Sequence, residues 1–211
     1  MKNNITELVF ILDRSGSMEM LADDAIGGFN ATMKKQREQE GRVYVSTYLF
    51  DTFVELIHDR VDISETKPMT KEDYQPGGTT SLLDAIGEAI SHIEMIHRYV
   101  RAEDVPEHTV FVIMTDGMEN SSHAYTSAKI KEKITQKQQE CAWEFIFIAA
   151  NIDAVETASS IGISKDRAAN WEYSSNGMKV CHGAISRKIS DIRENRNENI
   201  RLKDYLKEDK K

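Results

Sequence analysis

Short apolar runs alternate with stretches of helical periodicity along most of the chain, and that alternation leaves few architectures open. Residues 8–12 form the first run; Leu21, Ala25, Phe29 and Met33, four apart, then mark a helix over 21–39 with one buried stripe. Gly41 stops that helix. Runs 43–50 and 53–58 are separated only by Asp51 and Thr52, so they read as an antiparallel hairpin. Residues 62–76 contain Pro68 and Pro76 and little periodicity, a loop leading to Gly77-Gly78-Thr79-Thr80. Ser81 with Asp84 resembles a capping box, and Leu83, Ile86, Ile90 and Ile93 carry a helix on to Tyr99. Residues 110–114 are continuously apolar, as in a strand buried on both faces, and end at Thr115-Asp116-Gly117. A polar helix over 124–140 follows, then a strand over 143–150 and a short helix over 153–161 closed by Gly162. A short edge strand near 169–171 and an amphipathic helix over 177–192 complete the series.

Such alternation predicts an α/β fold, a mostly parallel sheet covered by helices on both faces. At roughly 150 residues per domain, a chain of 211 fits one domain with a tail. The boundary falls at 193: residues 194–211 are charged throughout and offer only Ile200, Leu202, Tyr205 and Leu206 for burial. That segment reads as a helical extension or a flexible tail.

Charge removes several function classes. With 35 acidic against 27 basic residues, the formal charge of -8 provides nothing to neutralise a phosphate backbone, so no nucleic-acid partner is expected. No stretch approaches the about eighteen apolar residues of a membrane span. The first apolar run stops at Asp13 with no cleavage-like site after it, so it reads as a strand and not a secretory signal. Cys141 and Cys181 stand far apart and outside any metal-binding spacing. A cytoplasmic, monomeric protein with reduced thiols is the expectation.

The chemistry-bearing residues fall where strands end. Asp13, Ser15 and Ser17 follow the first strand, Asp116 follows the 110–114 strand, and Thr79 is delivered by the Gly77-Gly78 loop. In an open doubly wound sheet, ligands bind outside the carboxyl ends of the strands, at the point where the winding reverses. If those two strands are neighbours there, two carboxylates and three hydroxyls converge. Oxygen ligands without His or Cys select a hard divalent cation, Mg²⁺ or Mn²⁺ first and Ca²⁺ next. A lone D-x-S-x-S is a weak signal, because Asp and Ser are common in turns. Three such elements at three strand-to-helix junctions are together specific.

At these residues the sequence resembles the von Willebrand factor A domain family, whose metal-ion-dependent adhesion site combines D-x-S-x-S, a distant Thr and a further Asp. Asp13-Arg14-Ser15-Gly16-Ser17, Gly77-Gly78-Thr79 and Thr115-Asp116-Gly117 occur in the family's order over nearly the whole chain. The resemblance implies a Rossmann-like doubly wound sheet of about six strands, with the hairpin making one of them antiparallel. It also implies metal ligation by Asp13, Ser15, Ser17, Thr79 and Asp116, directly or through water; from the residues alone either Thr79 or Thr80 could point inward, and the family's pattern favours Thr79, with Thr80 assisting the helix cap. One coordination position would stay open for an Asp or Glu of a protein partner. The expected role is therefore a cation-dependent protein-interaction module of a stand-alone bacterial or phage-like type, without catalytic residues.

Two alternatives belong to other classes. A Mg²⁺-dependent phosphatase of the haloacid-dehalogenase type needs an acid two residues after the first Asp, where this chain has Ser15. An accessory subunit of a AAA+ ATPase or chelatase would keep the metal site and change only its partner. Neither G-x-G-x-x-G nor G-x-x-x-x-G-K-[ST] is present, and Ser17 lies outside any G-x-S-x-G. Glu119, Asn120 and His123 follow Asp116 closely enough to read a partner, although an ordinary solvated loop is the simpler account. Gly27-Gly28, inside the first helix, point to close helix packing.

Overall fold

In the computed structural model of the protein, which describes residues 4–196 and 200–208, strand β1 (Ile5–Asp13) is buried from end to end. Its side chains alternate between two cores, Leu8, Phe10 and Leu12 into one, Val9 and Ile11 into the other. Strands β4 (His108–Thr115) and β5 (Glu144–Ala149) divide the same way. Val110, Val112, Met114, Ile146 and Ile148 join the first core, and Phe111, Ile113, Phe145 and Phe147 the second. Helices α1 (Ala22–Arg37) and α5 (Ser175–Arg193) close the first core. Helices α2 (Leu82–Tyr99), α3 (Ser127–Cys141) and α4 (Ala154–Ser160) close the second.

With β2 (Arg42–Phe50), β3 (Val54–Asp62) and β6 (Ala168–Asn170), the sheet order is β3-β2-β1-β4-β5-β6. Only the β2–β3 hairpin is antiparallel; the other neighbours pair in parallel. This is the doubly wound, mostly parallel α/β sheet that the sequence predicts. The winding reverses between β1 and β4, with Leu12 opposite Met114 in register. The two strands that carry the site motifs are thus direct neighbours at the switch point.

Several boundaries differ from the sequence reading, each because a distant partner intervenes. β1 starts at Ile5 because Glu7, which no apolar pattern would place inside, is fully buried against Arg60 at 2.9 Å and His97 at 3.4 Å. β3 extends past His58 because it is an edge strand with one open face and needs no apolar alternation. The Ser81–Asp84 capping box does not form: Ser81 Oγ donates to the Thr52 carbonyl at 3.0 Å, and the Asp84 carboxylate accepts from elsewhere. Within α1, the expectation of close packing holds at Gly28, where a Cβ would lie 2.1 Å from the His182 ring of α5.

The charged C-terminal segment contains a seven-residue helix, α6 (Leu202–Glu208), whose Leu202, Tyr205 and Leu206 are buried in the first core. Tyr205 Oη donates to Asp191 at 2.5 Å, and Lys188 Nζ reaches the Ile200 carbonyl at 3.1 Å. Residues 197–199 and 209–211 of that segment, like 1–3, lie outside the described residues. Among the described residues, no helix is long and apolar enough to cross a membrane.

Candidate metal centre

Asp13 is the last residue of β1, Ser15 and Ser17 enter the 3₁₀ turn that follows, and Asp116 is the first residue past β4. Adjacency of the two strands brings them together. Thr115 Oγ1 donates to Asp13 Oδ2 at 2.5 Å, and the Ser15 amide donates to Asp13 Oδ1 at 2.8 Å. Ser17 Oγ donates to Asp116 Oδ1 at 2.7 Å and lies 3.1 Å from Ser15 Oγ. Four of the five predicted ligands therefore form one connected cluster.

The fifth position is a choice between neighbouring threonines. The resemblance puts Thr79 inward and Thr80 at the helix cap; in the structure Thr80 is the buried one and Thr79 the exposed one. Thr79 is exposed, its hydroxyl 2.9 Å from that of Thr52 on the β2–β3 turn. Thr80 is buried, and its Oγ1 lies 3.8 Å from the point where a Cβ would stand on Gly117, beside Asp116. Gly78 permits this turn in two ways: its φ is +67°, and a Cβ there would come within 2.5 Å of Thr52 Oγ1.

Electrostatically the cluster is unbalanced. Burial raises the pKa of Asp13 above the usual carboxylate range, its hydrogen bonds opposing this and the Asp116 charge adding to it. Burial likewise raises Asp116, against the pull of Ser17. Both residues are about 1% exposed, and Asp116 Oδ2 is a buried oxygen with no hydrogen-bond partner. The nearest candidate counter-charge in the sequence, Arg14, is turned away to Asp51 at 2.9 Å and Glu55 at 2.6 Å. Among the described residues, no group of three or more His, Cys, Asp or Glu side chains is placed to hold a metal ion. Any cation here would be met by two carboxylates and hydroxyls, a set that suits Mg²⁺ or Mn²⁺.

The loop after Asp116 serves the scaffold. Glu119 accepts from the amides of Leu83 at 2.9 Å, Ser121 at 2.9 Å and Ser122 at 2.7 Å, and from the Ser122 hydroxyl. Asp84 answers by accepting from the amides of His123, Ala124 and Tyr125 at 2.8–3.0 Å. Asn120 clasps Thr80 through both backbone directions, accepting from its amide on Oδ1 and donating its own amide to its carbonyl. Glu119 and Asn120 thus join the loop to the start of α2, Glu119 half-buried and Asn120 still exposed, while the exposed His123 contributes its amide to Asp84. Two further contributors carry no sequence signal: Tyr74 Oη donates to the Asp13 carbonyl and Tyr173 Oη to the Ser17 carbonyl. Both tyrosines hold the backbone of the first loop through its carbonyls.

No protein-family model matches the sequence, and no curated protein does. Solved structures do match in fold. Proximal thread matrix protein 1 from the mussel byssus superposes with a TM-score of 0.52 at 15% identity, over 92% of this chain and 45% of that one. The von Willebrand factor type A structure from Catenulispora acidiphila gives 0.55 at 12% identity, over 92% and 42%. The fold is von Willebrand factor A-like. Manganese-loaded TRAP protein from Plasmodium vivax gives 0.52 at 18% identity, over 77% of this chain and 64% of that one. The chain therefore spans about two fifths to two thirds of the length of the structures it resembles.

Proposed function

We propose that this von Willebrand factor A-like chain binds Mg²⁺ or Mn²⁺ through Asp13, Ser15, Ser17, Thr80 and Asp116, and through it captures an Asp or Glu side chain of another protein. The observation that carries the reading is the buried, unpartnered Oδ2 of Asp116 beside a second buried carboxylate. Two such charges without a bonded counter-charge are costly unless a cation joins them. A bound divalent ion would supply a hard Lewis-acid centre with room for one external carboxylate. The chain's own residues do the rest. Thr115 and the Ser15 amide occupy one lone pair on each Asp13 oxygen and fix its plane, Ser17 orients Asp116, and the Asn120 clasp holds Thr80 in place. Thr80 replaces Thr79 in the ligand set because Thr79 is spent on Thr52 at the surface. The manganese named for the TRAP structure fits a site of this chemistry.

We read the activity as binding without catalysis, since Ser15 occupies the position where a phosphatase of this geometry needs its acid. Both cysteines are free thiols, which fits a reducing compartment such as the cytoplasm. Calorimetric titration of chelator-stripped protein with Mn²⁺ tests the ligand set. Wild type and Thr79→Val should bind alike, Thr80→Val should bind at least tenfold more weakly, and Asp13→Ala should not bind. Equal loss in the two threonine variants would overturn the assignment of Thr80, and no binding by wild type would overturn the metal reading.

A further inference from the structure

Seven large apolar side chains stand exposed among the described residues, and four of them lie just past the carboxyl ends of strands: Met20, Phe53, Met118 and Val155. Met20 lies in the 3₁₀ turn after β1, Phe53 tips the β2–β3 hairpin, Met118 is the third residue past β4, and Val155 is in the first turn of α4 after β5. The first three are 86%, 75% and 72% exposed, nearly as open as side chains can be. Their loops are locked around the Asp13–Asp116 cluster: Gly16 N–H meets the Gly78 carbonyl at 3.4 Å, Thr52 meets Thr79 at 2.9 Å and Ser17 meets Asp116 at 2.7 Å. Single exposed apolar residues need no explanation, but a ring of them around one polar centre does.

The charges of the same rim that stand outside ion pairs are acidic. Glu19, Asp153 and Glu172 are exposed past the strand ends, whereas Arg14 is paired with Asp51 and Glu55, and Lys71 with Asp23. A carboxylate at the centre would be attracted by the cation, and a second carboxylate a few ångströms away would face this acidic rim. Methionine side chains, flexible and polarisable, adapt to apolar partners of varied shape. Attraction at the centre, apolar contact around it and repulsion outside act together as a specificity filter.

We propose that the rim formed by Met20, Phe53 and Met118 selects a protein segment in which a single Asp or Glu is flanked by apolar side chains, and rejects runs of acidic residues. This rests on the metal-dependent reading above and adds the identity of the captured sequence. The test is calorimetric titration of the full chain, saturated with Mn²⁺, with three end-blocked peptides whose centres are Phe-Asp-Leu, Ser-Asp-Ser and Asp-Asp-Asp. The first should bind at least tenfold more tightly than either of the others. The triple variant Met20→Ser, Phe53→Ser, Met118→Ser should bring Phe-Asp-Leu and Ser-Asp-Ser within about twofold of each other, with Asp-Asp-Asp still the weakest, while taking up Mn²⁺ as wild type does, which also shows that its centre is intact. Equal binding of the three peptides by wild type, or a preference for Phe-Asp-Leu over Ser-Asp-Ser that survives in the triple variant, overturns the rim proposal and leaves the metal reading standing. Failure of wild type to bind Mn²⁺ removes both. Mn²⁺-dependent self-association lost in the triple variant, seen by sedimentation, would assign the rim to a second copy of the chain and overturn the proposed partner.

Discussion

Asp116→Asn should make the metal-free protein more stable and the metal-supplied protein less stable than wild type. Asp116 is about 1% exposed, Ser17 bonds one of its oxygens at 2.7 Å, and nothing bonds the other. Asparagine keeps the acceptor for Ser17 and puts an amide nitrogen where the orphaned oxygen sits, so a buried charge is exchanged for a buried neutral group that still lacks a partner. The gain is thus part of the desolvation cost of an unpaired charge, about 2 kcal/mol. With an unfolding entropy of roughly 2.1 cal/mol/K per residue over 211 residues, about 0.44 kcal/mol/K in all, that is a rise in midpoint of about 5 °C. Wild type in turn gains about 2.7 kcal/mol, roughly 6 °C, from Mg²⁺ at a hundred times its Kd, and the variant gains nothing. Scanning calorimetry in chelator and in Mg²⁺ should therefore show the order of the two midpoints reverse. A lower midpoint for the variant in chelator, or an equal Mg²⁺ shift in both proteins, would refute the argument that Asp116 is a ligand carboxylate waiting for a cation.

Two further outcomes follow from the scaffold. Burial lowers the pKa of His182, packed between α5 and α1, from its ordinary 6.5 to about 4. The unfolded chain therefore binds the proton first as pH falls, and stability drops from about pH 6.5 down through pH 4. Urea unfolding at pH 7 and pH 4.5 should show wild type losing about 2 kcal/mol more than His182→Gln over that interval, and equal losses would contradict a neutral, buried imidazole. Glu119→Ala removes the acceptor for three amides and should cost about 2 kcal/mol. Hydrogen exchange should speed up at Leu83, Ser121 and Ser122; unchanged protection there would mean that the loop is held by other contacts.

The candidate site was legible in part because its pieces are local. D-x-S-x-S and Thr-Asp-Gly each follow an apolar run that states where its strand ends, and Gly-Gly-Thr closes the loop just before the next helical pattern begins. The choice between Thr79 and Thr80 was not legible, since it depends on Thr52 from the hairpin taking one hydroxyl and on Asn120 clasping the next residue. The capping box failed for the same reason: Ser81 and Asp84 have the right spacing, but Thr52, His123, Ala124 and Tyr125 compete for them from other segments. For residues 194–211 the sequence leaves a helical extension and a flexible tail both open; that Leu202, Tyr205 and Leu206 of α6 are buried in the first core depends on packing against α5 and β6.

By itself the sequence determined the period of each element, the order of the elements and the residue types at each strand end. These follow from how one stretch of backbone partitions its side chains between core and water, which a chain encodes locally. Tertiary structure alone decided that β1 and β4 lie side by side, that Asp116 keeps one oxygen without a partner, and that Met20, Phe53 and Met118 stand exposed past the ends of three neighbouring strands. Each of these is a relation between segments tens of residues apart, fixed by strand pairing and by competition for hydrogen-bonding groups, and so has no local signature to read.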